Sequence, residues 1–150
     1  MSDVNLLCNH YVATVNEGQS VVDAAALMRE EHVGDVIVVE PRGKAKLPVG
    51  ILTDRDIVVG VIAKGISADA VTVGEAMTRA LLTLREDASL EFALQEMRRF
   101  GVRRAPVVGS SGELVGVIAL DDVIEHLAVQ LCRLAELIKH EQDVERETRQ

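Results

Sequence analysis

The sequence predicts an α/β (α+β) fold made of two copies of one β-α-β-β-α unit, followed by a long C-terminal helix. Two observations carry this prediction: an internal repeat, and an alternation of short β-branched segments with segments of helical period. Apolar residues make up 48% of the 150 residues, so the chain can bury a core. We therefore expect one compact domain or two small, closely packed ones.

The internal repeat is visible when the two halves are aligned. Residues 14–39 match residues 83–108 at a constant offset of 69. After a loop that is three residues shorter in the second copy, residues 50–57 match residues 116–123 at an offset of 66. Since each unit is too small to be stable alone, we expect the two to bury their open sheet faces against each other.

The first unit follows from turn and capping signals. Ser20 and Asp23 form a Ser-x-x-Asp capping box that predicts the start of a helix. Pro41, Gly43 and Pro48 predict a turn-rich loop between two strands. The predicted elements are a strand over 11–15, a helix over 21–31, strands over 35–40 and 49–53, and a helix from Asp54 onward.

The second unit repeats this order. Its predicted elements are strands over 81–84, 105–108 and 115–119, and helices over 89–100 and from Asp121 onward. Thr72 and Glu75 form the capping box of a short helix before this unit, with residues 3–7 as its counterpart at the N-terminus. The expected divisions are an N-terminal helical lead over 1–7, a first domain over 8–67, a linker helix over 68–76, a second domain over 77–130 and a C-terminal helical extension over 131–150.

Composition argues against several classes of function. A formal net charge of −8 argues against a DNA or RNA partner, which needs clustered Lys and Arg. Charged residues interrupt every apolar stretch before the roughly 18 residues of a membrane span, and no signal peptide is visible, so we expect a cytoplasmic protein. Cys8 and His10 lack further ligands at zinc spacing, and no catalytic triad or phosphate loop is present. We therefore expect neither a metal nor an enzyme.

Three segments strongly resemble the cystathionine-β-synthase (CBS) domain family: residues 50–56, 102–108 and 116–122, which read GILTDRD, VRRAPVV and GVIALDD. The resemblance covers residues 8–130. It implies a pseudo-twofold pair of CBS domains, or Bateman module, of the stand-alone bacterial signal-transduction type. Such a pair has two clefts that bind AMP, ADP, ATP, NAD or S-adenosylmethionine, and it regulates rather than catalyses. We expect AMP first among these ligands.

The family motif Gly-x-x-Thr/Ser-x-x-Asp implies a ribose-binding role for Asp56 and a phosphate contact for Thr53. A carboxylate at a helix start is also held ionised and can accept two hydrogen bonds, while Arg55 could add positive charge. The alternative is that Thr53 and Asp56 form a plain helix capping box. The second copy keeps Asp122 but has Ala119 in place of the threonine, which leaves ribose binding there and removes the hydroxyl for a phosphate.

The resemblance also implies basic residues, which contact phosphates, on the strand after the first helix of a unit. The second half has Arg103 and Arg104 there, whereas the first half has Gly34 and an aspartate. Because adjacent strand residues point to opposite faces, we expect Arg104 beside the Asp122 cleft. Arg103 then reaches toward the Asp56 cleft. A solvated position at the strand edge is the alternative for either arginine.

Adenine is expected between aliphatic side chains, because aromatic residues are only 2% of the chain and cannot form stacking platforms. The expected walls are Ile51, Leu82 and Val102 around the Asp56 cleft, and Ala13, Val33 and Val117 around the Asp122 cleft. Backbone groups would read the base.

The C-terminal helix has a seam of apolar residues with steps of 3, 4, 3 and 4, namely Ile124, Leu127, Leu131, Leu134 and Ile138. This spacing is typical of a short coiled coil and predicts a homodimer; the alternative is a helix packed on its own domain. Two functions stay open. The first is a nucleotide-binding regulatory module that signals to a partner protein. The second is a dimeric scaffold with degenerate sites, which Ala119 favours.

Overall fold

The computed structural model describes residues 3–79 and 81–149, and it confirms the α/β class and the long C-terminal helix. The elements are α1 (Val4–Leu7), β1 (Thr14–Val15), α2 (Val21–Glu31), β2 (Asp35–Arg42), β3 (Ala45–Thr53), α3 (Asp54–Ile57), α4 (Val73–Ala76), β4 (Leu84–Arg85), α5 (Leu90–Phe100), β5 (Arg104–Val108), β6 (Leu114–Ala119) and α6 (Leu120–Thr148). A π-helical turn, Val58–Ile62, continues α3, and a 3-10 turn, Ala68–Ala70, precedes α4.

The repeat extends to the pairing of the strands. Each unit has a three-stranded sheet, β1-β2-β3 or β4-β5-β6, in which the first strand is parallel to the second and the second is antiparallel to the third. Val15 pairs with Val38 in the first sheet. Leu84 and Val107, 69 positions later, pair in the second. In each unit, the pairing between the second and third strands shifts register directly after the second-strand residue of this pair, Val38 or Val107. The two units therefore have the same strand arrangement.

The loop predicted through Pro41, Gly43 and Pro48 is wrong. Strands β2 and β3 continue through both prolines and meet at a tight turn at Gly43, whose φ is 62°. Pro48 pairs with Val39 at the register shift and Pro41 lies near the hairpin tip, both places where a missing N–H costs little. The strands predicted over 11–15 and 81–84 are also shorter than expected, because only two residues of each unit pair with the central strand.

Capping boxes fix the helix starts. The Ser20 hydroxyl accepts a hydrogen bond from the Asp23 N–H at 3.0 Å, and Asp23 Oδ2 accepts one from the Ser20 N–H at 3.3 Å. The same reciprocal pattern links Thr72 and Glu75 at α4. These bonds satisfy N–H groups that have no partner within the helix. The pKa of Glu75 lies below its usual value because its carboxylate accepts hydrogen bonds from the backbone and hydroxyl of Thr72.

The segment before each unit packs into the other unit. Val4 of α1 is fully buried in the second core, and the Asn9 backbone exchanges two hydrogen bonds with Val117 of β6, at 2.8 and 2.9 Å. Val73 of α4 is fully buried in the first core, and the Thr78 backbone exchanges two with Ile51 of β3. The core of each unit is therefore completed by the segment that precedes the other unit in the sequence.

We expect Gly116→Ala to lower the free energy of unfolding by about 1–3 kcal/mol. A Cβ at Gly116 would lie 2.8 Å from Cys8 Sγ and 2.9 Å from the Asn9 carbonyl oxygen, where the N-terminal segment crosses β6. The measurement is urea denaturation of the variant and of Gly60→Ala, which meets nothing within 4 Å. Equal stability of the two variants would show that the crossing segment is loosely held.

Helix α6 leaves the body of the molecule. Among residues 120–148 only Val123 is buried, and every residue from 127 to 149 is exposed. The alternative in which this helix packs on its own domain is therefore wrong beyond Leu127. Within residues 3–79 and 81–149, no helix combines the length and the apolar character needed to cross a bilayer.

Candidate functional site

Two clefts lie between the units, and the larger one has a volume of about 660 Å³. We call it the Asp56 cleft. It is lined by residues of both units, and the sequence-predicted residues that the structure places on it are Gly34, Ile51, Thr53, Arg55, Asp56, Leu82, Val102, Arg103 and Arg104. Thr78, Leu81, Asp35, Asp54 and Asp121 also line it and were not predicted.

The second cleft, the Asp122 cleft, has a volume of about 220 Å³. The sequence-predicted residues on its wall are Ala13, Val33, Val117, Asp122 and Arg104. Asn9 and Tyr11 line it too, since the crossing N-terminal segment forms one side. Arg104, expected beside this cleft alone, lies on both.

Asp56 is both a helix cap and a cleft residue. Its Oδ2 accepts a hydrogen bond from the Thr53 N–H at 2.9 Å, and its own N–H donates one to Thr53 Oγ1 at 3.1 Å. No residue in 3–79 or 81–149 donates a hydrogen bond to Oδ1, although the side chain is half-buried at the cleft wall. The two interpretations of Thr53 and Asp56 are therefore compatible, because the cap uses one carboxylate oxygen and leaves the other for a ligand.

Asp122 stands in a different local setting. Ala119 occupies the N-cap of α6 and offers no side-chain hydrogen bond, so Asp122 has no capping partner there. Its side chain is exposed at the mouth of the smaller cleft. Both motif carboxylates thus face a groove shared by the two units, and they differ in how firmly they are held.

A cross-unit ion pair separates the two clefts. Arg104 Nη1 lies 3.1 Å from Asp35 Oδ1, and the two residues are 69 positions apart, so they occupy the same place in the repeat. Both line both clefts. Burial raises the pKa of Asp35 despite the opposing effect of Arg104, and the nearby Asp54 carboxylate raises it further.

Arginines are distributed unequally between the clefts. The Asp56 cleft has Arg55, Arg103 and Arg104, whereas the Asp122 cleft has Arg104 alone. Arg103 contacts Asp121 at 2.9 Å, but both side chains are more than half exposed, and such a pair adds little stability. Arg103 can therefore turn to another anion at small cost. Arg55 forms no ion pair within the described part of the chain.

The family follows from comparison with known proteins. Residues 2–62 and residues 73–129 each match the CBS domain. The chain belongs to the CBS-domain family. The two matched ranges correspond to the two units of the fold, so the protein is a tandem CBS-domain protein.

Its relatives include proteins of similar and of greater length. The CBS domain-containing protein YhcV of Bacillus subtilis is 39% identical over 123 residues, which are 82% of this chain and 84% of YhcV. The uncharacterized protein MK0525 of Methanopyrus kandleri is 32% identical over 114 residues, 76% of this chain. The chain spans 57% of the length of MK0525.

Several solved structures share the fold. Hypoxic Response Protein I, whose crystal structure has two coordinated zinc ions, is 30% identical with a TM-score of 0.71, over 84% of this chain and 99% of that one. The CBS domain pair of protein MJ0100, crystallised with 5'-methylthioadenosine and S-adenosyl-L-methionine, has a TM-score of 0.75 at 22% identity, over 87% and 98% of the chains. At that identity the likeness concerns the fold.

The part of this CBS protein that the structure describes contains no cluster of three or more metal-ligating side chains. Cys8 Sγ lies 3.9 Å from His10 Nε2. His10 Nδ1 is 3.0 Å from the Val115 carbonyl oxygen. Burial raises the pKa of the Cys8 thiol, which disfavours the thiolate that binds metals. These contacts are those of a packed thiol next to a hydrogen-bonded imidazole.

Sequence reasoning missed Asp35, although a signal for it was present. The offset of 69 places Asp35 opposite Arg104, and opposite charges at one repeat position are expected to meet where two copies face each other around a pseudo-twofold axis. Asp121 was missed for a related reason. It corresponds to Arg55 at the offset of 66, so the two units carry opposite charges at the start of the helix after the motif strand.

Proposed function

We propose that this CBS pair is a non-catalytic regulatory module that binds an adenine nucleotide in the Asp56 cleft and signals to a partner protein. AMP is the first candidate, followed by ATP, ADP, NAD and S-adenosylmethionine. The observation that supports this most is the position of Asp56 on a cleft of about 660 Å³ with a carboxylate oxygen left over from its capping role. A ribose offers two hydroxyl donors to such an acceptor.

The cleft can accommodate the other parts of a nucleotide. Ile51 and Val102 are half-buried and Leu82 is 8% exposed, so apolar side chains from both units are available for the two faces of a base. Phosphates would meet the arginines of the second unit, Arg103 and Arg104, across the cleft from Thr53. A planar guanidinium matches phosphate oxygens in geometry and charge.

Regulation is supported by how the cleft connects to α6. Strand β6 passes directly into this helix at Leu120, and Asp121 in its first turn lines both clefts. A helix of 29 residues spans about 43 Å, so a small rotation at the cleft becomes a large displacement at its far end.

The two cysteines, Cys8 and Cys132, are free, which is consistent with a role in the cytoplasm.

We expect AMP or another adenine compound to raise the melting temperature. A ligand at a hundred times its dissociation constant stabilises the folded state by about 2.7 kcal/mol, or about 5–10 °C for a chain of this length. The measurement is a thermal melt with AMP, ADP, ATP, NAD and S-adenosylmethionine in parallel, followed by calorimetric titration of each compound that shifts it. If none of them binds below millimolar concentration, the sensing function is wrong.

A scaffold function is the second candidate, and the exposed face of α6 favours it. In this interpretation α6 pairs with a second copy of the chain, and the clefts serve only as packing surfaces. Ala119 agrees with it, because the second motif has lost its hydroxyl. Nucleotide binding by a variant that no longer self-associates separates the two functions.

A further inference from the structure

The ion pair between Asp35 and Arg104 has an unusual position, because both of its members border both clefts. We propose that Asp35 and a bound phosphate compete for Arg104, so that the chain takes one phosphate-bearing nucleotide, in the Asp56 cleft, and accepts only ligands without a phosphate in the Asp122 cleft. This inference rests on the proposed function and specifies the ligand class of each cleft.

Arg104 can change partner without movement of the backbone. Its guanidinium contacts Asp35 through one nitrogen, at 3.1 Å, and its side chain is 39% exposed, whereas Asp35 is 16% exposed. Asp35 holds the guanidinium by this one hydrogen bond, so a phosphate that binds two of its N–H donors in bidentate fashion can draw Arg104 away from Asp35. A phosphate monoester carries about −1.5 to −2 at pH 7, compared with −1 for a carboxylate, and therefore attracts Arg104 more strongly.

The two clefts differ in what they offer once Arg104 has turned to a phosphate. The Asp56 cleft then has three arginines, with Arg55 and Arg103 beside Arg104, against the four carboxylates of Asp35, Asp54, Asp56 and Asp121. The Asp122 cleft is left with no arginine of its own and with the carboxylates of Asp35, Asp121 and Asp122 on its wall. Like charges repel a phosphate there, while a neutral or cationic nucleoside can still bind the carboxylate of Asp122.

The ion pair between Asp35 and Arg104 is also easily broken. Burial raises the pKa of Asp35, which means that its charged form is held less well than in water in spite of Arg104. Removing that charge should therefore release Arg104 for a phosphate. The substitution Asp35→Asn keeps the size of the side chain and one oxygen, and it is the direct test.

The experiment is calorimetric titration of the full chain with AMP and with adenosine. We expect one AMP per chain, and we expect Asp35→Asn to bind AMP three- to tenfold more tightly with adenosine affinity unchanged. Asp54→Asn is the matched control, because Asp54 lines the same cleft and forms no side-chain contact with Arg104. Its gain in AMP affinity should be smaller than that of Asp35→Asn.

A double-mutant cycle tests whether the effect of Asp35→Asn on AMP affinity acts through Arg104. Arg104→Ala should weaken AMP at least tenfold and adenosine by a much smaller factor, and the gain from Asp35→Asn should disappear when both substitutions are combined. Two equal AMP sites per chain, or a folded Asp35→Asn variant that binds AMP no more tightly than the natural chain, would overturn the inference while the proposed function stands. If neither AMP nor any other adenine compound binds to any variant, the proposed function fails, and this inference with it.

Discussion

We expect Asp56→Ala to weaken nucleotide binding by at least tenfold. Hydrogen bonds between a carboxylate and two ribose hydroxyls contribute about 1.5–3 kcal/mol each, and 1.4 kcal/mol corresponds to a tenfold change in affinity. Asp56 lines the cleft, and its Oδ1 accepts no hydrogen bond from residues 3–79 or 81–149, so this oxygen is available to the sugar. Titration of the folded variant with AMP measures the effect.

The substitution also removes a helix cap, so a control must separate stability from binding. Asp23 holds the corresponding place in the Ser20 capping box of α2 and lines neither cleft. Asp23→Ala should lower the free energy of unfolding by a similar amount, about 0.5–2 kcal/mol, without a change in AMP affinity. Equal AMP affinities for Asp56→Ala and the natural chain would show that Asp56 is only a cap.

Local signals were sufficient to predict where α2 and α4 begin, although the helix expected over 68–76 is a 3-10 turn over Ala68–Ala70 followed by α4. The start of α2 at Val21 and of α4 at Val73 depends on Ser20 and Thr72, each of which caps a helix together with an acidic residue three positions later. Such pairs act within one turn, so the sequence contains all that determines them. The same holds for the first turn after Thr53, although the π-helical turn that follows it had no visible signal.

Features that depend on distant residues were not predictable in the same way. The segment before each unit packs on the other unit, which requires Asn9 to pair with Val117 and Thr78 to pair with Ile51. No local pattern distinguishes this arrangement from pairing within one unit. The hairpin through Pro41 was missed because Pro48 is tolerated at the register shift of edge strand β3 and Pro41 near the hairpin tip, and the sequence states neither position. The family resemblance placed the predicted residues on the two cleft walls, and their contact with a nucleotide stays a prediction.

Replacing two seam residues of α6, Leu131→Asp with Leu134→Asp, is expected to convert a dimer to a monomer. These side chains are 66% and 59% exposed in the single chain, and they continue the spacing of Ile124 and Leu127 along one face. The positions beside the seam, among them Ala128, Gln130, Ala135 and Leu137, carry no charge, so two copies of this face can meet without repulsion. We therefore expect a second copy of the chain on this seam.

The measurement is the mass in solution by light scattering, with 16.3 kDa expected for the double variant and twice that for the natural chain. The control is Cys132→Asp, which adds a carboxylate to the outer face of the same helix turn and should leave the dimer intact. Four buried carboxylates would each cost several kcal/mol in a coiled-coil seam, more than its remaining leucine contacts can offset. If the double variant still forms a dimer, the dimer interface lies on another surface of the chain.

The same double variant separates the two candidate functions. If the chain is a nucleotide sensor, the Asp56 cleft forms between the two units of one chain, and the seam residues Leu131 and Leu134 do not line it. The monomeric variant should then bind AMP with unchanged affinity and lose only its association. If the chain is a scaffold, neither the monomer nor the dimer binds AMP, and the loss of association is the loss of the function.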